Sequence, residues 1–482
     1  MFKNLTRTEN RLPIILVGGC IILYLLILLY GLNFENSGSY GFRTLFSSRY
    51  GFPVMFGDPE QYIQISRNIF SNNVFSDHFN SPYIPNTSRT PGYPIFLALK
   101  KSVFGSYLGV SLIQIVLLGT MALMILKIGE KIHSITAGLV AALLFVLDPV
   151  AIAYTLLVST DILFTFLVIL IFYFIFFKSN KSYGRLFLYG LLLGVAIMVR
   201  PIGLFLLAVI IPGIFLCQAD PFKIKIKRSL ILFLATFLMI FPWMLRNKII
   251  ANSWSISSIS SYDLILYNAT NFADSKGEGK LISDQISAII KKYSSSYPSD
   301  PADIFYSPVL TDLHHSDELN KISTAYIMSD PFGYAKFHLT RSMTYFFIKS
   351  SIAHAIDYAP HLRQKLIYAG IIPPSDKYTD LLITFKEKPF TEFIKEAWSN
   401  RILVFEKIVR LALLILMIIP VFLCKKEQRR YALFLWAMVL YFAILSGPLS
   451  NARYRIPAEP FMMLLSTIGV LTLISSLKVK RT

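Results

Sequence analysis

Four short stretches of this sequence carry side chains of the types that do chemistry. In GDPEQYIQISRNIF, residues 57–70, Asp58 and Glu60 stand two apart ahead of a run with helical spacing. Carboxylates so placed can accept a proton or hold a cation, or can simply satisfy the free N–H groups of a helix's first turn. Asp161 in VSTDILF, residues 158–164, is open to the same two readings, with Ser159 and Thr160 able to share the capping. Arg453 and Arg455 flank Tyr454 in NARYRIP, residues 451–457, and Arg200 precedes Pro201. Guanidinium groups bind phosphate oxygens in bidentate fashion, so this set reads as a phosphate clamp. The plainer alternative is a set of helix-end arginines reaching to lipid headgroups. Arg89 in SRTPGYP, residues 88–94, either joins the clamp or meets a lipid phosphate.

The elements that must position these residues are membrane helices. Of 482 residues, 54% are hydrophobic and 16% charged, and the apolar residues come in blocks near the roughly 20 residues that span a hydrocarbon core. Ten such blocks are read: 12–32, 108–126, 137–158, 162–177, 186–198, 203–217, 230–245, 403–424, 431–449 and 458–477. The first is too long, and lacks the small-residue cleavage site, for a removed signal peptide. The net charge of +19 does not point to nucleic acid, because the basic residues cluster between apolar blocks in the positive-inside pattern. Ten crossings put every basic cluster and both termini on the cytoplasmic side. Asp58, Glu60, Asp161, Arg200 and Arg453 then all lie on the outer side, in a plasma membrane. Lys100 and Lys101 sit on an interfacial helix within 88–105, begun by Pro91 and Pro94.

Other features carry less. Asp148 in VLDPV lies inside an apolar run, where an acid needs a partner or a proton, and with Pro149 it marks a kink. Cys20, Cys217 and Cys424 fall inside apolar blocks and form no disulfide framework. His314 and His315, near Asp312 and Asp317, suit a polar surface turn better than a metal site, and Asn86 and Asn268 match glycosylation sequons that also occur at Asn4 and Asn180 on the cytoplasmic side. Amphipathic helices are expected near 317–328 and 334–352.

An acidic first loop, a TPGYP segment opening an interfacial helix, and a late RYRIP turn, in that order, resemble the bacterial relatives of the protein O-mannosyltransferases and aminoarabinose transferases. The resemblance covers residues 12–245 and 403–477 and implies an all-α integral membrane protein of the GT-C fold, an inverting glycosyltransferase with a polyprenyl-phosphate sugar as donor. Asp58, Glu60 and Asp161 are then the catalytic acids, with Asp58 the base, while Arg200, Arg453, Arg455, Arg89 and Tyr454 hold the donor phosphate. Tyr62 and Tyr93 contact substrate. A divalent cation is possible, and the acceptor is a lipid, glycan or protein of the cell envelope. The chain divides into a core, 1–245, with the catalytic loop 33–107; an outer region, 246–400, suited to acceptor choice; and the last helices, 401–482. The competing classes are a flippase of a lipid-linked sugar and a polysaccharide polymerase or ligase. A transporter would carry polar sites at the midplane, on broken helices or internal repeats; Asp148 is the main feature in its favour.

Overall fold

The computed structural model describes residues 8–36, 58–104, 108–178, 182–294, 307–357, 360–368 and 401–479. Lys3, Asn4, Arg7, Asn180, Lys181, residues 37–57 of the first loop, residues 369–400 of the outer region and the end of the basic tail fall outside them. Among the described residues the chain is helical and has no β-strand.

The helices run α1 Thr8–Asn36, α2 Asp58–Asn72, α3 Gly92–Phe104, α4 Leu108–Ile132, α5 Ile135–Val146, α6 Pro149–Leu156, α7 Thr160–Phe176, α8 Tyr183–Val199, α9 Leu207–Cys217 and α10 Phe222–Ala251. There follow α11 Ile259–Asp263, a π-helix Leu264–Thr270, α12 Asn271–Ser275, α13 Gly279–Tyr293, α14 Pro308–Thr311, α15 Ser316–Ser329, α16 Pro331–Ile348, α17 Ser351–Asp357 and α18 Pro360–Tyr368. The last are α19 Arg401–Leu423, α20 Lys426–Leu445, α21 Ala452–Arg455 and α22 Glu459–Val479.

Each of the ten apolar blocks is helical, and the protein is a multi-pass membrane protein. Three helices, Gly109–Ile132, Phe222–Ala251 and Glu459–Leu477, are long and apolar enough to cross a bilayer unaided. The block at 137–158 is a bent pair, α5 and α6, meeting at 60°. Asp148 makes that break: its carboxylate accepts from the amides of Val150 (3.0 Å) and Ala151 (3.2 Å), capping a helix that Pro149 opens.

Close backbone approach joins the spans. A Cβ on Gly138 would lie 2.1 Å from the Leu126 carbonyl oxygen, and one on Gly469 would lie 2.0 Å from that of Leu416. These glycines let α5 seat on α4 and α22 on α19 without a gap. A continuous apolar core runs through the spans from Leu16 to Ile468. A second, smaller core lies between residues 265 and 326, around Ile265, Phe272, Ile286, Leu310 and Leu319. There α15 and α16 form where amphipathic helices were expected, but α16 ends at Ile348 and a separate helix, α17, follows.

Candidate active site

Three turns between spans, the first two 39 residues apart and the third 292 residues beyond the first, meet at one end of the bundle. At the start of α7, Ser159 takes the cap, accepting from the Asp161 amide at 3.3 Å. The Asp161 side chain is thereby left for the arginines. It is fully buried and ion-paired with Arg200, which ends α8, and with Nε of Arg453 at 3.1 Å. In the third turn Asn451 caps α21, its side-chain oxygen accepting from the Arg453 amide at 2.9 Å, which presents Arg453 to the other two.

The first loop supplies the opposite edge. Asp58, the first residue of α2, pairs with Arg89 and, at 3.6 Å, with Arg453. Arg89 also donates from Nε to Gln61 at 2.6 Å and lies 5.1 Å from the centre of the Tyr62 ring. Its backbone is held by Asn86, whose side-chain oxygen accepts from the Arg89 amide at 2.9 Å, so this sequon asparagine is a buried turn-former. Gly92 permits the docking: a Cβ there would stand 2.6 Å from the Met198 carbonyl carbon, two residues before Arg200. Burial alone would raise the Asp58 carboxyl, but the charges of Arg89 and Arg453 outweigh it and hold the group below the usual carboxylate range.

These residues border a cavity of about 1200 Å³. Asp58, Glu60, Tyr62, Arg89, Arg200, Arg453 and Tyr454 line it. Asp161 stands behind the arginines. Tyr93 and Arg455 do not reach the cavity. Tyr93 is buried edge-on beneath Tyr62, ring centres 5.2 Å apart. Arg455, expected at the donor phosphate, is instead fully buried against Glu459 (2.5 Å), the Phe346 carbonyl (2.6 Å) and Ser351 (2.9 Å). At 3.6 residues per turn, side chains two apart in a helical turn diverge by about 200°, so one RYR motif faces two compartments.

A further wall comes from residues 254–268, where the sequence drew attention only to the sequon at Asn268. Trp254, Asp263, Tyr267 and Asn268 line the cavity there. This segment is tied to the first loop: Ser257 donates to the Ser88 carbonyl (2.5 Å), the Ser258 amide to that of Thr87 (3.2 Å), and Arg246 to that of Asn86 (2.9 Å). Asp263 is a lone acid among apolar and aromatic neighbours in the sequence, and only its place in space distinguishes it. Burial first, and then the Asp58 charge, push its carboxyl up to about 7, with Arg89 pulling the other way. The remaining wall is apolar, with Leu204, Phe205, Phe237, Ile240 and Met244 from the break before α9 and from α10. Among the described residues no three His, Cys, Asp or Glu side chains gather as metal ligands, and His315 stacks on Tyr293 at 4.0 Å instead.

Residues 88–245, from the SRTPGYP segment to the end of the seventh block, match the family described as dolichyl-phosphate-mannose-protein mannosyltransferase. Among solved structures, the archaeal oligosaccharyltransferase AglB from Archaeoglobus fulgidus, in complex with an inhibitory peptide and a dolichol-phosphate, superposes with a TM-score of 0.50 at 12% identity. The match takes in 95% of this chain and 51% of AglB. The chain has the GT-C fold. It spans about half the length of that AglB structure. ArnT from Cupriavidus metallidurans bound to undecaprenyl phosphate also matches, at 12% identity and a TM-score of 0.38, over 94% of this chain and 78% of ArnT. No curated protein matches the sequence.

Proposed function

We propose that this GT-C protein is an inverting glycosyltransferase that moves a sugar from a polyprenyl-phosphate donor to a cell-envelope acceptor at the outer face of the plasma membrane. The observation that carries the reading is the two-sided cavity: Arg89, Arg200 and Arg453 gather on one wall, and Phe205, Phe237 and Met244 stand on another. A phosphate with an apolar chain satisfies both walls at once, whereas a soluble anion leaves the apolar wall wet.

The chemistry follows from the donor. Its leaving group is a phosphate, whose charge grows as the glycosidic bond stretches, so the site must supply positive charge there and a proton acceptor for the incoming hydroxyl. Asp58 and Asp161, each paired with two arginines, hold those guanidinium groups in place, so they need not reorganise as charge develops. One displacement with a carboxylate as base inverts the anomeric centre, by the logic of inverting glycosidases. The flippase reading loses its main support, since Asp148 is a helix cap ion-paired with Arg410 at 3.0 Å.

The test is transfer by the purified protein. Given labelled undecaprenyl-phosphate sugars and membrane acceptors in detergent, it should form a glycosylated product of inverted anomeric configuration. Binding without release of undecaprenyl phosphate would fit a flippase and rule the proposal out.

A further inference from the structure

The cavity holds more carboxylates than the phosphate clamp uses, and they differ in what they are already bound to. Asp58 and Asp161 are committed to arginines. Asp77 accepts from Gln61 at 2.6 Å. Glu60 sits in the first turn of α2, where the helix dipole favours an anion. Asp263 is placed otherwise. It closes α11 and leads into the π-helix Leu264–Thr270, and among the described residues no hydrogen bond or ion pair reaches its carboxylate. Its backbone is pinned, because Asn268 donates from Nδ2 to the Asp263 carbonyl at 2.9 Å, across one π turn. π-Helical turns are rare and are frequently found at functional sites.

We infer that Asp263, rather than Asp58, takes the proton from the acceptor hydroxyl. The inference rests on the transferase reading above and sharpens it. As the acceptor oxygen bonds to the anomeric carbon, the bond from that carbon to the phosphate oxygen breaks. Its electron pair leaves with the lipid phosphate, held by the arginines, and the hydroxyl proton passes to Asp263. A carboxylate already neutralised by two guanidinium groups is a weaker proton acceptor than an unpaired one in the same cavity. The position also suits the geometry. Asp263 belongs to the outer-region wall, beside Tyr267 and Asn268, while the arginines mark where the departing phosphate must lie.

The charged and titratable groups that act on Asp263 are Asp58, Arg89 and Tyr454. The packed helices α14 and α15 bring Leu310 and Leu319 to the core beneath it. With its carboxyl pushed up to about 7 by burial and by Asp58, Asp263 changes charge near neutral pH. The active form is the deprotonated one, so the rate should rise with pH through that region.

The experiment uses the full chain in detergent and a panel of undecaprenyl-phosphate hexoses, hexosamines and pentoses. The readout is released undecaprenyl phosphate, which forms whatever hydroxyl or water accepts the sugar. Asp263→Asn should lower the rate ~10²-fold or more, the low end of what a positioned proton acceptor contributes. Binding of undecaprenyl phosphate, followed by Trp254 fluorescence, should persist, and Asp263→Glu should recover part of the rate. The wild type should show the rising limb near pH 7 and Asp263→Asn should lack it, whereas Asp274→Asn, at an exposed position outside the cavity lining, should keep it. Wild-type turnover in Asp263→Asn, an unchanged limb, or loss of lipid binding together with turnover would overturn the inference while leaving the transferase reading standing. No release by the wild type from any donor would instead remove the transferase reading itself.

Discussion

Two clusters of paired charge lie a few residues apart in the last turn, and only one of them opens on the cavity. The cavity cluster joins Arg89, Arg200 and Arg453 to Asp58 and Asp161, three guanidinium groups to two carboxylates among the described residues. The sealed cluster reverses the proportion, joining Arg410 and Arg455 to Asp148, Glu406 and Glu459. In the sealed cluster the surplus carboxylate is met by backbone donors. Glu406 accepts from the Ser351 amide at 2.6 Å and the Ile352 amide at 3.2 Å, at the start of α17, and Asp148 accepts from the first turn of α6. In the cavity cluster all three guanidinium groups have a carboxylate partner, and the positive excess borders the cavity that Arg89, Arg200 and Arg453 line. The same residue types thus serve as a joint between α6, α17, α19 and α22 in one place and, in the function proposed above, as an anion site in the other. What separates the roles is the sign of the imbalance and what is available to satisfy it.

The comparison can be broken by removing one arginine from each cluster. Arg410→Ala leaves Asp148 and Glu406 without an ion-pair partner in a sealed site, while Glu459 keeps Arg455, an effect on the order of 3–5 kcal/mol on stability for loss of one buried partner; thermal unfolding in detergent should show a large drop with little folded protein left to assay. Arg453→Ala should behave oppositely. Its melting temperature should fall far less than that of Arg410→Ala, because a cavity open to water can solvate Asp58 and the buried Asp161 keeps Arg200. Release of undecaprenyl phosphate should fall on the order of 10²–10³-fold, as expected when a charge-stabilising donor is lost. If the two variants exchanged behaviours, the division into joint and site would be wrong. Gly92→Ala should act more mildly, since overpacking against Met198 costs about 1–3 kcal/mol. It would push the Arg89 loop away from α8, weakening undecaprenyl phosphate binding more than it lowers the melting temperature. Equal weakening of both would make Gly92 a packing residue alone.

Much of the arrangement is legible before any coordinates. The hydropathy blocks correspond to helices, and the turns holding Asp161, Arg200 and Arg453 are the ones that charge counting assigns to a single side; they do meet. The TPGYP segment opens a helix at Gly92, with Tyr93 and Leu97 buried and Ile95 and Leu99 exposed. The polar outer turns of α19, by contrast, gave no sign that Glu406 and Arg410 belong to a buried joint, because their partners come from α6, α17 and α22. Arg455 had the same sequence credentials as Arg453. Asp263 had none.

The division has a physical cause. Length, apolar content and the distribution of lysine and arginine determine how many times the chain can enter the bilayer and which turns share a side, since desolvating a backbone or a charge in hydrocarbon is costly wherever it occurs in the chain. Those quantities are additive along the sequence, so they can be read from it. Whether an arginine meets a cavity or a glutamate, and whether an aspartate has a partner, depends on side-chain direction within one helical turn and on contacts between residues as far apart as Asp161 and Arg453. Only the packed tertiary structure decides that.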